Sequence, residues 1–318
     1  MKPIPLHIET PIWPSQPLSE ALGAPVLMKM DAFQPVGSFK MRGVGHLCQT
    51  KCLEGAACLL SSSGGNAGYA AAYSGRKLGV PVTVVVPVST PEWMRGLLRR
   101  EEATVIEHGA SWAYAHKHAL ELAAEQDAAY IHPFDDPLIW LGHASMIEEM
   151  YVVSPKPGAI VVAVGGAGLL CGVIEGMERV GWTDVPVVTV ETEGAASFAG
   201  SIKAGELITL DRIDSIATTL GALQVTPQAM VCAEKHPITP LVVSDREALD
   251  ACKRFIDDHR ILVEPACGAA LAAVYNRADP LIGRDPVMVI VCGGAGVSLA
   301  LLDEWEQNFE GNRHVLMS

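Results

Sequence analysis

Charge is scarce in this sequence, and positive charge scarcer still. Charged residues make up 19% of the 318 positions, and 23 Lys and Arg stand against 36 Asp and Glu, for a formal net charge of −13. A surface with that balance repels polyanions, which sets aside nucleic acid and anionic membrane as partners. It leaves room for a small anion in a locally positive site. No apolar run approaches the ~20 residues of a spanning helix; the longest, such as AIVVAVGG at 159–166, are strand-sized. The start, MKPIPLHIETP, lacks the apolar core of a secretion signal, so the expectation is a soluble cytoplasmic chain. There is no C-x-x-C. Cys48, Cys52, Cys58, Cys171, Cys232, Cys252, Cys267 and Cys292 are scattered among apolar neighbours, and the 48/52 pair has no second pair to complete a zinc site. Most of these thiols read as small buried hydrophobes. Low-complexity tracts and long linkers are absent too.

What is present is apolar and periodic. Hydrophobic residues make up 49%, which marks a globular chain with a large core, of one to two domains for this length. Short Val-rich strands repeatedly lead into Gly-rich turns and then Ala/Leu-rich helices. Residues 58–62 precede GGNAG and a helix at 67–79; 82–86 precede a helix at 91–101; 159–164 precede GGAG and a helix at 169–180; 287–291 precede CGGAG and a helix at 297–306. Continuous apolar strands alternating with helices indicate parallel sheets covered on both faces, hence an α/β class with two doubly wound, mainly parallel sheets. The Pro-rich break YVVSPKPG at 151–158 separates two groups of such units, and the strand-like VLMKM at 26–30 is free to join either. Ligands of these sheets lie beyond the carboxyl ends of the strands, which is where the three Gly-rich turns at 64–68, 165–168 and 293–296 fall.

Four windows carry chemistry. In GSFKMRG, Lys40 sits beside Phe39 between Gly37 and Gly43. A nucleophilic lysine needs a lowered pKa and a dry pocket, and an aromatic neighbour gives a flat ring a wall; a surface Lys–Arg pair near a helix start is the plainer alternative. SSSGGNAG at 61–68 places glycines at a helix start, where free N–H groups receive a carboxylate or phosphate, with the Asn66 amide alongside. VGGAGLLCG at 164–172 is a second cradle of that kind. Gly166, Gly168 and Gly172, with Glu191 ending the next strand, also approach a dinucleotide fingerprint, so a nicotinamide-binding dehydrogenase competes on this window alone. In VIVCGGAG at 289–296, Cys292 ends a strand at the crevice. Together these windows suit a ligand with a phosphate, an aromatic ring and an amino-acid carboxylate.

With those windows, PFDDPLIWLGHAS at 133–145, ETEGAASF at 191–198 and ILVEPACGAALAAVY at 261–275, the chain resembles the serine/threonine dehydratase group of fold-type II pyridoxal-phosphate enzymes. Within that group, whose fold is tryptophan synthase β-like, the catabolic L-serine dehydratases are the nearest match. The resemblance spans almost the whole chain. It implies a large cofactor-binding domain from 1–40 plus 138–318 and a small domain at 41–137. It implies a catalytic Lys40 linked to pyridoxal 5′-phosphate, with Phe39 and Ala222 on the two faces of the ring. Gly165, Gly166, Ala167, Gly168 and Leu169 would hold the phosphate, Asn66 the ring 3-hydroxyl, and Cys292 the ring nitrogen. Ser63, Gly64, Asn66 and Ala67 would receive the substrate carboxylate. A monovalent cation, potassium, would lie among Glu191 and carbonyls near Gly165, Ala195, Leu220 and Ala222. The activity implied is dehydration and deamination of L-serine, extending to L-threonine, in a homodimer.

Some positions depart from the family pattern. Ala167 stands where a fourth glycine is usual, which is tolerable if its φ is negative and strained if positive. Ala295 and Gly296 replace a polar Ser-Asn pair. Gly64 occupies the place where related serine racemases carry a serine as second base. A racemase or a β-replacement synthase of the same fold is the rival function, and a nicotinamide oxidoreductase or a non-catalytic binding protein a more distant one. The chain ends soon after its last expected helix, so an appended regulatory domain is not expected.

Overall fold

A computed structural model describes residues 3–316. The chain begins with β1 (Ile12–Pro14), α1 (Gln16–Leu22), β2 (Val26–Lys29) and α2 (Lys40–Leu53). Then follow β3 (Leu59–Ser61), α3 (Asn66–Leu78), β4 (Val82–Val86), α4 (Glu92–Arg100), β5 (Thr104–Glu107), α5 (Trp112–Gln126), β6 (Ala129–Ile131) and α6 (Pro137–Val153). The remainder comprises β7 (Ala159–Ala163), α7 (Gly168–Val180), β8 (Val187–Thr192), α8 (Ser197–Ala204), α9 (Pro227–Lys235), β9 (Ile238–Val243), α10 (Asp245–His259), α11 (Pro265–Tyr275), β10 (Val287–Ile290) and α12 (Leu299–Leu316).

The strands form two sheets. One has the order β1-β2-β10-β7-β8-β9 and the other β5-β4-β3-β6. All neighbours pair in parallel except β1 with β2, so the expected α/β class with mainly parallel sheets holds. The strand VLMKM at 26–30, which had two possible homes, joins the six-stranded sheet between β1 and β10. Burial explains the pairing. β7 and β8 are buried at every residue, as strands covered on both faces must be. The apolar core around this sheet and the smaller cores around the other follow from those runs.

Local chemistry sets the helix starts that matter for the crevice. The Asp136 carboxylate caps α6, with Pro137 in its first turn. The Thr226 hydroxyl caps α9 in the same way before Pro227. The last helix starts at Leu299, later than its pattern suggested, because the Ser298 hydroxyl accepts the Leu301 N–H at 3.2 Å and caps it there.

Candidate active site

Lys40 is the first residue of α2. The start of that helix is pinned to the end of β10: the Phe39 N–H donates to the Cys292 carbonyl at 3.1 Å, and Ser38 forms a β-bridge with Gly293. Two residues on, Arg42 is fully buried, which sets aside a surface Lys–Arg pair. Its guanidinium binds Asp31 through Nε at 2.7 Å and Nη2 at 2.9 Å, and Glu149 through Nη1 at 2.5 Å and Nη2 at 2.8 Å. Lys29 adds a contact to Glu149 at 2.5 Å. Two cations facing two carboxylates balance this buried group and fix the helix that carries Lys40. The Lys40 amine donates to the Pro133 carbonyl at 2.5 Å and lies 5.2 Å from the centre of the Phe39 ring. Loss of hydration lowers its pKa from 10.5 to about 8. The positive end of the α2 dipole acts in the same direction. Behind Phe39, at 5.0 Å between ring centres, His143 is buried with neither ring nitrogen partnered among the described residues, and burial keeps it neutral.

Three loops are tied to the start of α2 directly or through neighbouring residues. At the end of β7, the N–H groups of Gly165, Gly166, Ala167, Gly168 and Leu169 donate to nothing among the described residues. Five free donors at a helix N-terminus make an anion cradle. Ala167 has φ 67°, so the methyl sits in the strained left-handed region. Phe134 packs over the loop: a Cβ on Gly166 would lie 2.4 Å from its ring, and one on Gly168 would lie 2.6 Å from its carbonyl oxygen. Leu220 closes the other side, its Cα 3.0 Å from where a Gly165 Cβ would be, and half-buried Ala222 follows it.

The second loop runs from β3 into α3. The N–H groups of Ser63, Gly64, Asn66 and Ala67 have no partner among the described residues. The turn is tight at Gly68, where a Cβ would stand 1.8 Å from the Ser63 carbonyl oxygen. The Ser63 hydroxyl accepts from the Gly65 N–H at 3.3 Å, so it serves its own turn. The Ser62 hydroxyl is held by Tyr130 at 2.6 Å.

The third loop follows β10. Cys292 lies two residues past the strand's last paired residue and is 5% exposed. A hydrogen bond with Cys267, together with burial, pushes its thiol well above the ordinary range, so it is neutral. The Asn66 side chain reaches this loop: its Oδ1 accepts from the Ala295 N–H at 2.8 Å, and its Nδ2 donates to both oxygens of Glu264 at 3.0 Å. Glu264 also receives the Thr219 hydroxyl at 2.7 Å and the Gly296 N–H at 2.5 Å. It is thus the joint between the loop before α3, the 219–222 turn and the loop after β10. Sequence reasoning gave it no role. The available signal was a lone carboxylate within the apolar stretch ILVEPACGAALAAVY.

Glu191 lies deeper. It is fully buried, and its oxygens accept from the N–H groups of Phe198 at 2.8 Å and Ala199 at 2.7 Å, capping α8. A carboxylate turned into a helix start cannot reach a ribose in the crevice, which removes the dinucleotide reading of Gly166, Gly168 and Gly172. Burial raises its pKa to about 7, against which the two N–H groups act, and no cationic side chain contributes. Ala195 is buried in the turn that precedes α8, and the Ser197 hydroxyl beyond it is buried without a partner among the described residues.

The arrangement can place an uncharged lysine amine among an anion cradle, a second set of free N–H groups and a neutral thiol. Comparison with known proteins agrees with that chemistry. The family described as "Pyridoxal-phosphate dependent enzyme" matches residues 4–293. The "L-serine dehydratase/L-threonine deaminase" of Bos taurus is 51% identical over 308 residues, covering 94% of each chain. The crystal structure of a fungal L-serine ammonia-lyase from Rhizomucor miehei superposes with a TM-score of 0.90 at 37% identity, covering 95% of this chain and 98% of that one. Maize serine racemase, at 24% identity and a TM-score of 0.87 over 97% of this chain and 94% of that one, shares the fold alone.

Proposed function

Because the chain belongs to the pyridoxal-phosphate dependent enzyme family, we propose the following division of labour for its reaction. That reaction is elimination of water from L-serine, giving pyruvate and ammonia; L-threonine, by the same route, gives 2-oxobutanoate. The observation that carries it is a lysine amine of lowered pKa in a fold that also presents two sets of backbone donors unpaired among the described residues. One set suits a phosphate and the other an amino-acid carboxylate. The neutral Cys292 thiol and the Phe39 ring suit an aromatic ring between them.

Pyridoxal phosphate, when bound, supplies an aldehyde for an amine and a ring that withdraws electrons from the substrate α-carbon. Its holders in our reading are Lys40, Phe39, Asn66, Ala222, Cys292 and the Gly165–Leu169 cradle. Lys40 Nζ takes the proton from the α-carbon, an acid–base role for which a pKa of about 8 is well matched. Ser63, Gly64, Asn66 and Ala67 orient the substrate carboxylate through their free N–H groups. A neutral Cys292 thiol at the ring nitrogen of the bound group would not keep that nitrogen protonated, which would favour loss of the β-hydroxyl over return of the proton. Glu191, with carbonyls near Gly165, Ala195, Leu220 and Ala222, is our site for potassium, supported by a buried carboxylate that no cationic side chain neutralises. We read the two sheets with their helices as the domains 1–40 plus 138–318 and 41–137, in a cytoplasmic homodimer; no helix of the described residues is long and apolar enough to cross a membrane.

A racemase needs a proton acceptor on each face of the α-carbon. Gly64 offers no side chain, and the Ser62 and Ser63 hydroxyls are engaged elsewhere, so elimination is favoured. The test is 2-oxo acid formation from a panel of L- and D-amino acids with pyridoxal phosphate and potassium present. We expect pyruvate from L-serine and a drop of several orders of magnitude in Lys40→Ala. Near-normal pyruvate formation by that variant would overturn the assignment of Lys40.

A further inference from the structure

The segment between β6 and α6 meets both the lysine and the phosphate cradle. His132 Nδ1 accepts two backbone N–H groups, from Phe134 at 3.2 Å and Asp135 at 2.7 Å, folding a tight turn around Pro133. The carbonyl presented by that turn is the one that receives the Lys40 amine at 2.5 Å. The next residue, Phe134, lies over Gly166 and Gly168, its ring 4.8 Å from the His132 ring and its carbonyl held by Trp140 Nε1 at 2.9 Å. Asp135 accepts the Thr226 hydroxyl at 2.5 Å, and the Thr226 N–H donates to the Gly166 carbonyl at 3.2 Å. One short strap therefore touches the reactive amine at one point and the cradle at Gly166 and Gly168, with a further link to Gly166 through Thr226.

We propose that His132 is a positioning residue that fixes the Pro133 carbonyl as a dock for the Lys40 amine whenever that amine is free of the cofactor, and fixes Phe134 over the phosphate cradle. This rests on the reading of Lys40 given above. The choice of acceptor is chemically apt. An uncharged amine donating one N–H to a carbonyl keeps its lone pair, and so remains able to take a proton. A carboxylate in the same place would draw Lys40 back to the ammonium form. The histidine is itself locked. With Nδ1 accepting twice, its proton resides on Nε2, and a second proton would break both bonds. Burial holds its pKa near 4, with only Asp135 opposing, so the ring stays neutral across the working range.

The test compares the loaded wild-type enzyme with His132→Ala and His132→Asn, an amide whose oxygen can accept the same two N–H groups. The readouts are kcat and KM for L-serine and, separately, the rate of cofactor release on dilution, followed by absorbance. Loss of two hydrogen bonds in the dock predicts for His132→Ala a fall in kcat of about tenfold or more, little change in KM, and faster cofactor release. His132→Asn recovers most of both. If the alanine variant fails to fold, His132→Leu, which fills the space without an acceptor, replaces it. Wild-type kcat and release rate in the acceptor-free variant would overturn the proposal, as would an asparagine variant no better than it. A wild-type enzyme without serine turnover would instead sink the assigned reaction, and the release rates would still judge the strap.

Discussion

The lowered pKa of Lys40 makes a quantitative demand on how the protein takes up its cofactor. Attachment at an aldehyde requires the uncharged amine. An amine of ordinary pKa 10.5 would be uncharged in only about one molecule in three thousand at neutral pH, whereas at about 8 the share is roughly one in ten, a gain of ~300-fold. One feature of the pocket opposes that gain: the Phe39 ring, 5.2 Å from the nitrogen, favours the ammonium by about 0.5–2 kcal/mol. Cys292 would favour it only as a thiolate, and its thiol stays protonated. Desolvation outweighs the ring. The assay is the rate of cofactor attachment to cofactor-free protein, followed by stopped-flow absorbance across about pH 6 to pH 10. Below the midpoint the charged form dominates, so the rate should climb about tenfold per pH unit and then level off near pH 8. Phe39→Ala, which lets water reach the nitrogen, should move the plateau upward. A wild-type rate still climbing tenfold per unit beyond pH 9 would show an ordinary lysine and refute the desolvation argument, while Lys40→Ala should show no attachment at any pH.

Other expectations follow from single contacts. Arg42→Met removes a guanidinium from between Asp31, fully buried, and Glu149, 14% exposed; stranding those carboxylates should cost ~3–5 kcal/mol in urea unfolding, and a loss under 1 kcal/mol would mean that the buried network is not what anchors α2. The unmodified enzyme should form negligible D-serine from L-serine by chiral chromatography, and substantial D-serine would reveal a second base. Gly64→Ser should introduce some racemisation while costing ~1–3 kcal/mol of stability, because its Cβ lands 2.8 Å from the Thr90 hydroxyl, and Thr90→Ala in the same chain should relieve the cost. Exchange into a large organic cation should lower serine turnover and potassium should restore it; indifference to the cation would remove Glu191 from that role.

The parts of this site that were legible in the sequence are those made by backbone. A strand that ends in glycines and opens a helix announces free N–H groups locally, so the turns at 64–68 and 165–168 stood out, and both present donors unpaired among the described residues. Helix starts shifted by a residue or two, as at Leu299 behind the Ser298 cap, while the last helix runs to Leu316, well past the expected end at 306. The sequence posed the question of Ala167 without answering it, since the sign of its φ depends on how Leu220 and Phe134 close around the loop. The structure gives the strained sign, 67°. Arg42 looked like a surface charge because its partners, Asp31 and Glu149, lie 11 and 107 residues away. The hint was Gly43 and Gly45 beside it, since glycines in a helix signal close packing; a Cβ on Gly43 would lie 2.6 Å from the Ile139 carbonyl oxygen.

Side chains that act on other side chains leave no such trace. Asn66 and Glu264 are 198 residues apart, and neither has a neighbour in sequence that requires the other. Before Pro265, Glu264 reads as an ordinary residue at a helix start, and indeed its own oxygens cap nothing in α11. They are spent on Asn66, Thr219 and Gly296, three segments that belong to loops of both sheets. Burial of that carboxylate raises its pKa, so the junction carries an electrostatic cost that three sets of donors offset. A chain accepts such a cost where loops from separate sheets must hold a fixed relation to one reactive amine, which packing alone would leave free to drift. The same logic places His132 beside Lys40: the nucleophile can be found by its motif, but the groups that aim it are set by contacts 93 residues away, through Pro133.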